Sequence, residues 1–215
     1  MTDGHVIWFE RLGRGDVAQV GGKNASLGEL IAALEPRGIN VPPGFATTAE
    51  AYRLFIEHNE LGPIVKSRLS DLAAGRASLA ETGSAIRAAI LGGDWPEDIE
   101  WAIRSAYRRL GEMAGQQETF LNIEGEDALI RACRRCYASL FTDRAISYRE
   151  AKGFAHEDVA LSVGVQRMVR SDRAGSGVMF SIDTESGFER SVLINAAWGL
   201  GENVVQGAVD PDEYQ

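Results

Sequence analysis

The sequence predicts an α+β protein with two lobes, in which a mainly helical first part is followed by a sheet in the last third. Apolar residues recur at helical spacing along much of the chain before Gly153. After Gly153 come three β-rich runs, VALSVGVQRMV, GVMFSI and SVLINAAW, divided by polar or glycine-rich turns. These runs predict an antiparallel or mixed sheet, and we assign residues 1–112 to the first lobe and 113–215 to the second.

The first lobe is predicted to open with a short strand, VIWF at residues 6–9, and a helix. Either Asn24 or Ser26 could cap the start of that helix, because both side chains can accept a bond from a free backbone N–H. Pro36 and Gly38 are expected to end it.

Further helices are predicted before residue 151. Thr47 and Glu50 have the spacing of a capping box, and residues 60–92 form a weakly patterned helical stretch. Asp94-Trp95-Pro96 is expected to open another helix. The buried face of that helix is predicted to consist of Ile99, Ala102, Ile103, Ala106 and Leu110.

One further helix is predicted over residues 126–151, and it carries five arginines: Arg131, Arg134, Arg135, Arg144 and Arg149. We interpret them as a solvated face paired with nearby acids, with part of a nucleotide phosphate cleft as the alternative. Cys133 and Cys136 form a C-x-x-C in the same segment, with no strand directly before it and no histidines at ligand spacing. We therefore interpret the cysteines as reduced packing thiols.

Composition excludes several classes of protein. The 215 residues carry a formal net charge of −9, which argues against a general nucleic-acid binder because phosphate contacts need clustered positive charge. No apolar run approaches the roughly 18 residues of a membrane span, and the start, MTDGHVIWFE, lacks the features of a signal peptide. We therefore expect a cytoplasmic protein that binds neither nucleic acid nor membrane.

Two glycine-rich segments are candidates for nucleotide binding. In GGKN at residues 21–24, glycine amides, a helix N-terminus and the Lys23 ammonium could hold a phosphate, although the spacing is not that of a Walker P-loop; an ordinary loop is the alternative. WGLGENVVQG at residues 198–207 has Val204 where a dinucleotide fingerprint has its third glycine. We interpret this segment as a tight turn into a helix or strand.

Two other polar features could face a ligand. AGQQETFLNI at residues 114–123 is a glycine loop that could close over a triphosphate through its backbone N–H groups and Thr119. Gln166 lies within an apolar strand-like run, where its amide either pairs with the core or faces a ligand.

Seven blocks together resemble the N-terminal ATP-grasp nucleotide-binding domain of the pyruvate, water dikinase (phosphoenolpyruvate synthase) family. In chain order they are GGKNASLGEL, VPPGFATTAEAY, AGQQETFLNI, ASLFTDRAISYR, VALSVGVQRMVRSD, SGVMFSIDTESGF and AAWGLGENVVQGAVDPDEY. Pyruvate, phosphate dikinases and rifamycin phosphotransferases share the domain type, but TDRAISYR and MFSIDTESGF are most similar to the synthases. The resemblance implies a two-lobed ATP-grasp-type fold over nearly the whole chain.

The resemblance also implies a reaction. In the family, ATP phosphorylates a histidine on a mobile central domain, AMP and phosphate are released, and the phosphohistidine phosphorylates pyruvate to phosphoenolpyruvate. The implied ligands are ATP and the Mg²⁺ that bridges its phosphates. The implied partners are the phosphohistidine and pyruvate-binding domains of the full-length enzyme.

No catalytic residue or metal ligand is assigned within this chain, since the family's metal ligands lie beyond the DPDEYQ segment. Seven positions are implied to bind nucleotide: Lys23 at the phosphates, Gly115 and Thr119 in the loop over the triphosphate, Gln166, Met168 and Val169 at the adenine and ribose edge, and Glu202 in the cleft.

One departure from the family pattern concerns a strand that precedes the Gly-Gln-Gln loop. The family motif there is Val-Arg-Ser-Ser-Ala-Thr-Ala-Glu-Asp, and its arginine contacts ATP phosphates. This block is missing here, and Ile103-Arg104-Ser105 lies in the preceding helix, so the role is not transferred to Arg104. We therefore predict an incomplete domain that binds ATP weakly and does not turn over by itself. The alternatives are a degenerate non-catalytic nucleotide-binding or interaction module, and a fragment of a rifamycin-type antibiotic phosphotransferase.

Overall fold

The computed structural model describes residues 4–113 and 123–214. The chain forms two compact units, Met1–Met168 and Val169–Gln215. Helices together with two antiparallel three-stranded sheets confirm the predicted α+β class. The lobe boundary at 112/113 stays a prediction.

The first unit contains a small sheet with the order β1-β2-β3, in which β2 is central. Its strands and helices, in chain order, are β1 (Val6–Trp8), α1 (Val17–Leu34), β2 (Gly44–Thr47), α2 (Ala49–His58), α3 (Leu61–Ala73), α4 (Leu79–Gly92), α5 (Glu97–Met113), α6 (Glu126–Ser139), α7 (Asp143–Lys152) and β3 (Gly164–Gln166). None of the helices in the described part of the chain is both long enough and apolar enough to cross a membrane.

α1 is interrupted at Gly21, whose φ of 75° and ψ of 162° are accessible to glycine but not helical. The predicted caps at Asn24 and Ser26 are therefore wrong, because both residues lie inside the helix. Gly22 and Lys23 instead form the first turn of the helical segment after the kink.

The N-cap of α2 is Thr48, whose Oγ1 accepts a hydrogen bond from the Ala51 N–H at 3.2 Å. The capping box predicted at Thr47 and Glu50 is therefore displaced by one residue. Thr47 ends β2, where its own hydroxyl accepts a bond from the Val163 N–H at 3.0 Å. Sequence spacing could not distinguish two adjacent threonines with the same capping chemistry.

The predicted single helix over residues 126–151 is two helices, α6 and α7. Thr142 begins a new helix because its backbone is extended and its Oγ1 accepts from the Ala145 N–H at 3.3 Å. The arginines are also not all on a solvated face. Arg149 is buried and donates to the Leu140 carbonyl at 2.6 Å, at the end of α6.

The two cysteines are free thiols within α6, as the sequence predicts. Cys133 is fully buried, and burial raises the pKa of both its thiol and that of Cys136. Neither thiol therefore has the lowered pKa that a redox-active cysteine needs.

The core of the first unit is built around aromatic rings. The Phe55 ring centroid lies 4.9 Å from that of Trp95 and 5.4 Å from that of Tyr137, and Tyr52 meets Tyr137 edge-on at 5.0 Å. The predicted buried face of α5 is confirmed, since all five of its residues are buried: Ile99, Ala102, Ile103, Ala106 and Leu110.

The second unit consists of β4 (Gly175–Phe180), β5 (Leu193–Trp198), the short helix α8 (Gly201–Val205) and β6 (Asp212–Tyr214), with the strand order β4-β5-β6. The three predicted β-rich runs therefore do not form one sheet. The first run supplies β3, which pairs with β2 in the first unit. Strand-like composition identifies a strand but does not specify its partner.

Candidate functional site

Five of the seven implied nucleotide-binding residues lie in the described part of the chain. Lys23, Gln166 and Met168 belong to the first unit, whereas Val169 and Glu202 belong to the second. Gly115 and Thr119 fall outside the described residues, so their implied roles stay predictions.

Lys23 lies two residues after the kink at Gly21, in the first turn of the helical segment that follows, on the exposed side of α1. Among the described residues, its ammonium makes no hydrogen bond or ion pair with another side chain. A lysine on a helix turn with no carboxylate partner can direct its charge to an external anion.

The neighbouring Asn24 points the other way and is only 7% exposed. Its Nδ2 donates to the Val20 carbonyl at 2.9 Å and to the Ser162 Oγ at 2.9 Å. Ser162 in turn donates to the Thr47 carbonyl at 2.6 Å. These bonds tie the Lys23 turn to the segment that leads into β3.

Gln166 is the last residue of β3, opposite Gly44 of β2. Its Nε2 donates to the Pro42 carbonyl at 3.0 Å, and the side chain is half-buried. The sequence left open whether the Gln166 amide pairs with the protein or faces a ligand, and its nitrogen pairs with the protein. Met168 follows shortly after the strand and is half-buried.

In the second unit, Val169 is exposed, and Glu202 is exposed near the start of α8. The Glu202 carboxylate accepts a hydrogen bond from Gln206 Nε2 at 2.7 Å within the same helix. Gly199, with a φ of 91°, makes the turn that precedes α8. The interpretation of this glycine segment as a tight turn into a helix is confirmed.

An ion-pair cluster joins α5 to α6. Arg104 lies 2.7 Å from carboxylate oxygens of both Glu100 and Asp127, and Arg108 lies 2.9 Å from Glu126. Hydrogen bonds to Glu100 and Asp127 raise the pKa of Arg104. Its charge is matched by protein carboxylates, which agrees with not assigning Arg104 a phosphate-binding role.

The described residues contain no group of three or more His, Cys, Asp or Glu side chains arranged to hold a metal ion. No Mg²⁺ ligand is therefore assigned to them.

The chain matches the family described as "Pyruvate phosphate dikinase, AMP/ATP-binding domain" over residues 17–113 and 111–215. It is 49% identical to a phosphoenolpyruvate synthase of Neisseria meningitidis serogroup B over 239 residues, covering 100% of this chain and 30% of the relative. It is 50% identical to that of Synechocystis sp. and 48% identical to that of Escherichia coli K12, covering in each case 97% of this chain and 29% of the relative. The chain thus spans less than a third of the length of these relatives.

The alignment is also longer than this chain. An alignment over 239 residues leaves at least 24 positions without a counterpart in a chain of 215 residues. The family match is divided into two segments that meet at residues 111–113, at the end of α5. The resemblance predicts a missing family block at the same place, before the Gly-Gln-Gln segment.

Two matched segments that together cover nearly all of the chain, with relatives at about half identity, place it in one family. The chain belongs to the family of pyruvate phosphate dikinase AMP/ATP-binding domains.

Proposed function

We propose that this chain is the ATP-binding part of a pyruvate, water dikinase. The observation that carries the proposal is the similarity of the whole chain to phosphoenolpyruvate synthases, within a family described by AMP and ATP binding. The complete reaction converts ATP, pyruvate and water to AMP, phosphoenolpyruvate and phosphate. It uses a phosphohistidine domain and a pyruvate-binding domain outside this chain, and we propose a cytoplasmic location for it.

The geometry of the first unit supports this function. Lys23 presents an ammonium that is unpaired among residues 4–113 and 123–214, on the turn after Gly21, while Gln166 and Met168 lie at and beyond the end of β3. In the proposed site, Lys23 holds the ATP phosphates, and Gly115 and Thr119 belong to the loop over them. Gln166 and Met168 lie at the adenine and ribose edge, and for Val169 and Glu202 of the second unit the nucleotide contacts that the resemblance implies stay predictions.

These residues bind and orient the nucleotide, and they perform no bond cleavage. Mg²⁺ would supply charge neutralisation at the phosphates. A triphosphate carries about four negative charges, and a charge-assisted contact contributes roughly 1.5–3 kcal/mol. With the arginine strand missing, we expect the isolated chain to bind ATP weakly and not to turn over.

Calorimetric titration with Mg-ATP tests the proposal. We expect a Kd weaker than about 1 μM, and Lys23→Ala is expected to weaken binding about tenfold. The matched control is Lys66→Ala, because Lys66 is an exposed helical lysine of the same unit whose ammonium lies 3.9 Å from Glu157. Absence of binding at millimolar Mg-ATP, or equal effects of the two substitutions, would contradict the proposed site. Sub-micromolar affinity would contradict the weakening assigned to the missing strand.

The second candidate is a degenerate nucleotide-binding or interaction module. The observation that favours it is the gap of at least 24 aligned positions. Reading the adjacent genomic DNA separates the two, because a dikinase needs a reading frame that supplies the histidine and pyruvate-binding domains. The compared relatives are phosphoenolpyruvate synthases, which supports the dikinase over a rifamycin phosphotransferase.

A further inference from the structure

We propose that Asn24 is a positioning residue, whose buried side chain holds the Lys23 turn of α1 in register with the segment leading into β3. The inference rests on the proposed function, in which Lys23 and Gln166 contact the same nucleotide. It concerns the distance and orientation between these two residues and assigns Asn24 no contact with ATP.

The first support is the way in which the Asn24 amide is used. Both donors of Nδ2 are occupied, one by the Val20 carbonyl across the Gly21 kink and the other by Ser162 Oγ. The Ser162 hydroxyl donates its hydrogen to the Thr47 carbonyl, and its oxygen accepts the hydrogen bond from Asn24. The two hydrogen bonds therefore run from Asn24 to Ser162 and from Ser162 to Thr47, and they join α1, the segment leading into β3, and β2.

The second support is steric. A Cβ placed on Gly164, the first residue of β3, would lie 2.3 Å from Asn24 Oδ1. A Cβ on Gly44, which pairs with Gln166 across the sheet, would lie 2.3 Å from the Val165 carbonyl oxygen. Gly164 thus permits the close approach of Asn24 to β3, and Gly44 permits the close pairing of β2 with the part of β3 that carries Gln166.

The third support is that asparagine is a poor choice for this position on helical grounds alone. It disfavours a helix interior because its side chain competes for backbone hydrogen bonds. The Asn24 side chain instead bonds the Val20 carbonyl across the kink and the hydroxyl of Ser162, which is distant in sequence. Loss of the amide would leave the Lys23 backbone attached to α1 but no longer tied to the β3 segment.

The chain offers a close control for a purely structural role. Asn59, at the end of α2, donates from Nδ2 to the Phe55 carbonyl and to the Asp94 carbonyl, both at 2.8 Å. Asn59 therefore also combines a bond four residues back with a bond to a distant segment. Neither neighbour of Asn59 in the sequence is implied to bind nucleotide.

Hydrogen exchange of the full chain without nucleotide tests the link itself. Asn24→Ala is expected to speed exchange by at least about threefold both at the amides around Lys23 and at those of residues 163–166. Asn59→Ala should leave both sets unchanged. Unchanged exchange at residues 163–166 in Asn24→Ala would overturn the proposal. If Asn24→Ala does not fold, Ser162→Ala removes the same bond and is judged by the same criteria.

A double-mutant cycle on Mg-ATP affinity tests whether the link positions Lys23. We expect Asn24→Ala to weaken binding about fivefold in the wild-type chain and less than about twofold in the Lys23→Ala chain. An equal effect in both chains would overturn the positioning role, because a merely structural loss is independent of Lys23. A wild-type chain that binds no Mg-ATP would overturn the proposed function and, with it, the positioning of Lys23 for nucleotide by Asn24. The exchange experiment would still decide whether the link exists.

Discussion

The two units differ in how far their apolar side chains are buried. In the first unit, large aromatic residues such as Phe55 and Tyr137 are fully buried in a common core. In the described residues of the second unit, Leu193 is the one apolar side chain classed as buried, whereas Trp198 is 83% exposed. In its described residues the second unit thus has a hydrogen-bonded sheet with few buried apolar side chains, whereas the first unit also has a packed interior.

The largest expected effect tests that packed interior. Phe55→Ala should lower the free energy of unfolding by about 3–5 kcal/mol, because it removes a ring that contacts Trp95 and Tyr137 and leaves a cavity. Phe188→Ala in the second unit is the control, since that ring is 57% exposed and its loss should change stability by less than about 0.5 kcal/mol. Urea unfolding measures both, and similar losses would contradict the contrast between the units.

The next effect concerns close packing of the backbone. Gly164→Ala is expected to cost about 1–3 kcal/mol, since its new methyl group would lie 2.3 Å from the buried Asn24 Oδ1. In the second unit, a methyl group at Gly175 would meet the Ala197 carbonyl oxygen at 3.5 Å, an ordinary contact. Gly175→Ala should therefore be nearly neutral in the same unfolding measurement. A neutral Gly164→Ala would show that α1 is free to move away from β3.

Protonation of His156 is expected to make the stability of the chain depend on pH. Its Nδ1 accepts a hydrogen bond from Nε of the buried Arg149 at 2.8 Å, and burial together with the Arg149 charge lowers the pKa of His156. The unfolded chain therefore binds the proton more tightly than the folded chain. The contribution of His156 to stability is fully present above the unfolded pKa of about 6.5 and is lost as pH falls below it.

His156→Gln should reduce the loss of stability between pH 7.5 and pH 5 relative to the wild-type chain. His58→Gln is the control, because His58 is exposed at the end of α2. Unfolding free energies of the three chains across this pH range measure the difference. Parallel curves for wild type and His156→Gln would contradict a neutral His156 in the folded protein.

The smallest effect is expected at the ion pairs between α5 and α6. Arg108→Gln should cost about 0.2–1 kcal/mol, because Arg108 pairs with Glu126 at a partly exposed position. The cost should shrink in 1 M salt, about the concentration at which screening acts within 3 Å. Arg53→Gln, which breaks an exposed pair with Glu50, is the control and should cost less. A cost that does not depend on salt would indicate packing by the arginine stem.

Sequence reasoning succeeded where the signal is local. The spacing of Ile99, Ile103 and Leu110 predicted a buried helix face, and all three are buried. It was off by one residue at the Thr48 cap and missed the helix break at Thr142. Caps depend on one backbone conformation, which neighbouring residues of the same type can exchange at little cost in sequence pattern.

The candidate site shows the same division. The GGKN segment predicts an anion site at Lys23, because glycines and a lysine stand before a helical pattern. Asn24 was interpreted as a possible cap, and nothing local indicated its bond to Ser162, which is far away in sequence. The only available signal was the unexplained asparagine within an otherwise good helix pattern.

The sequence by itself determined the α+β class, the helical faces and the family, because each depends on residue order over short windows or on ordered blocks. Tertiary structure decided the partner of β3, the inward direction of Asn24 and the burial of Arg149. These features follow from pairings between distant segments, where close approach at Gly164 and satisfaction of buried donors select one arrangement among several that the local pattern permits.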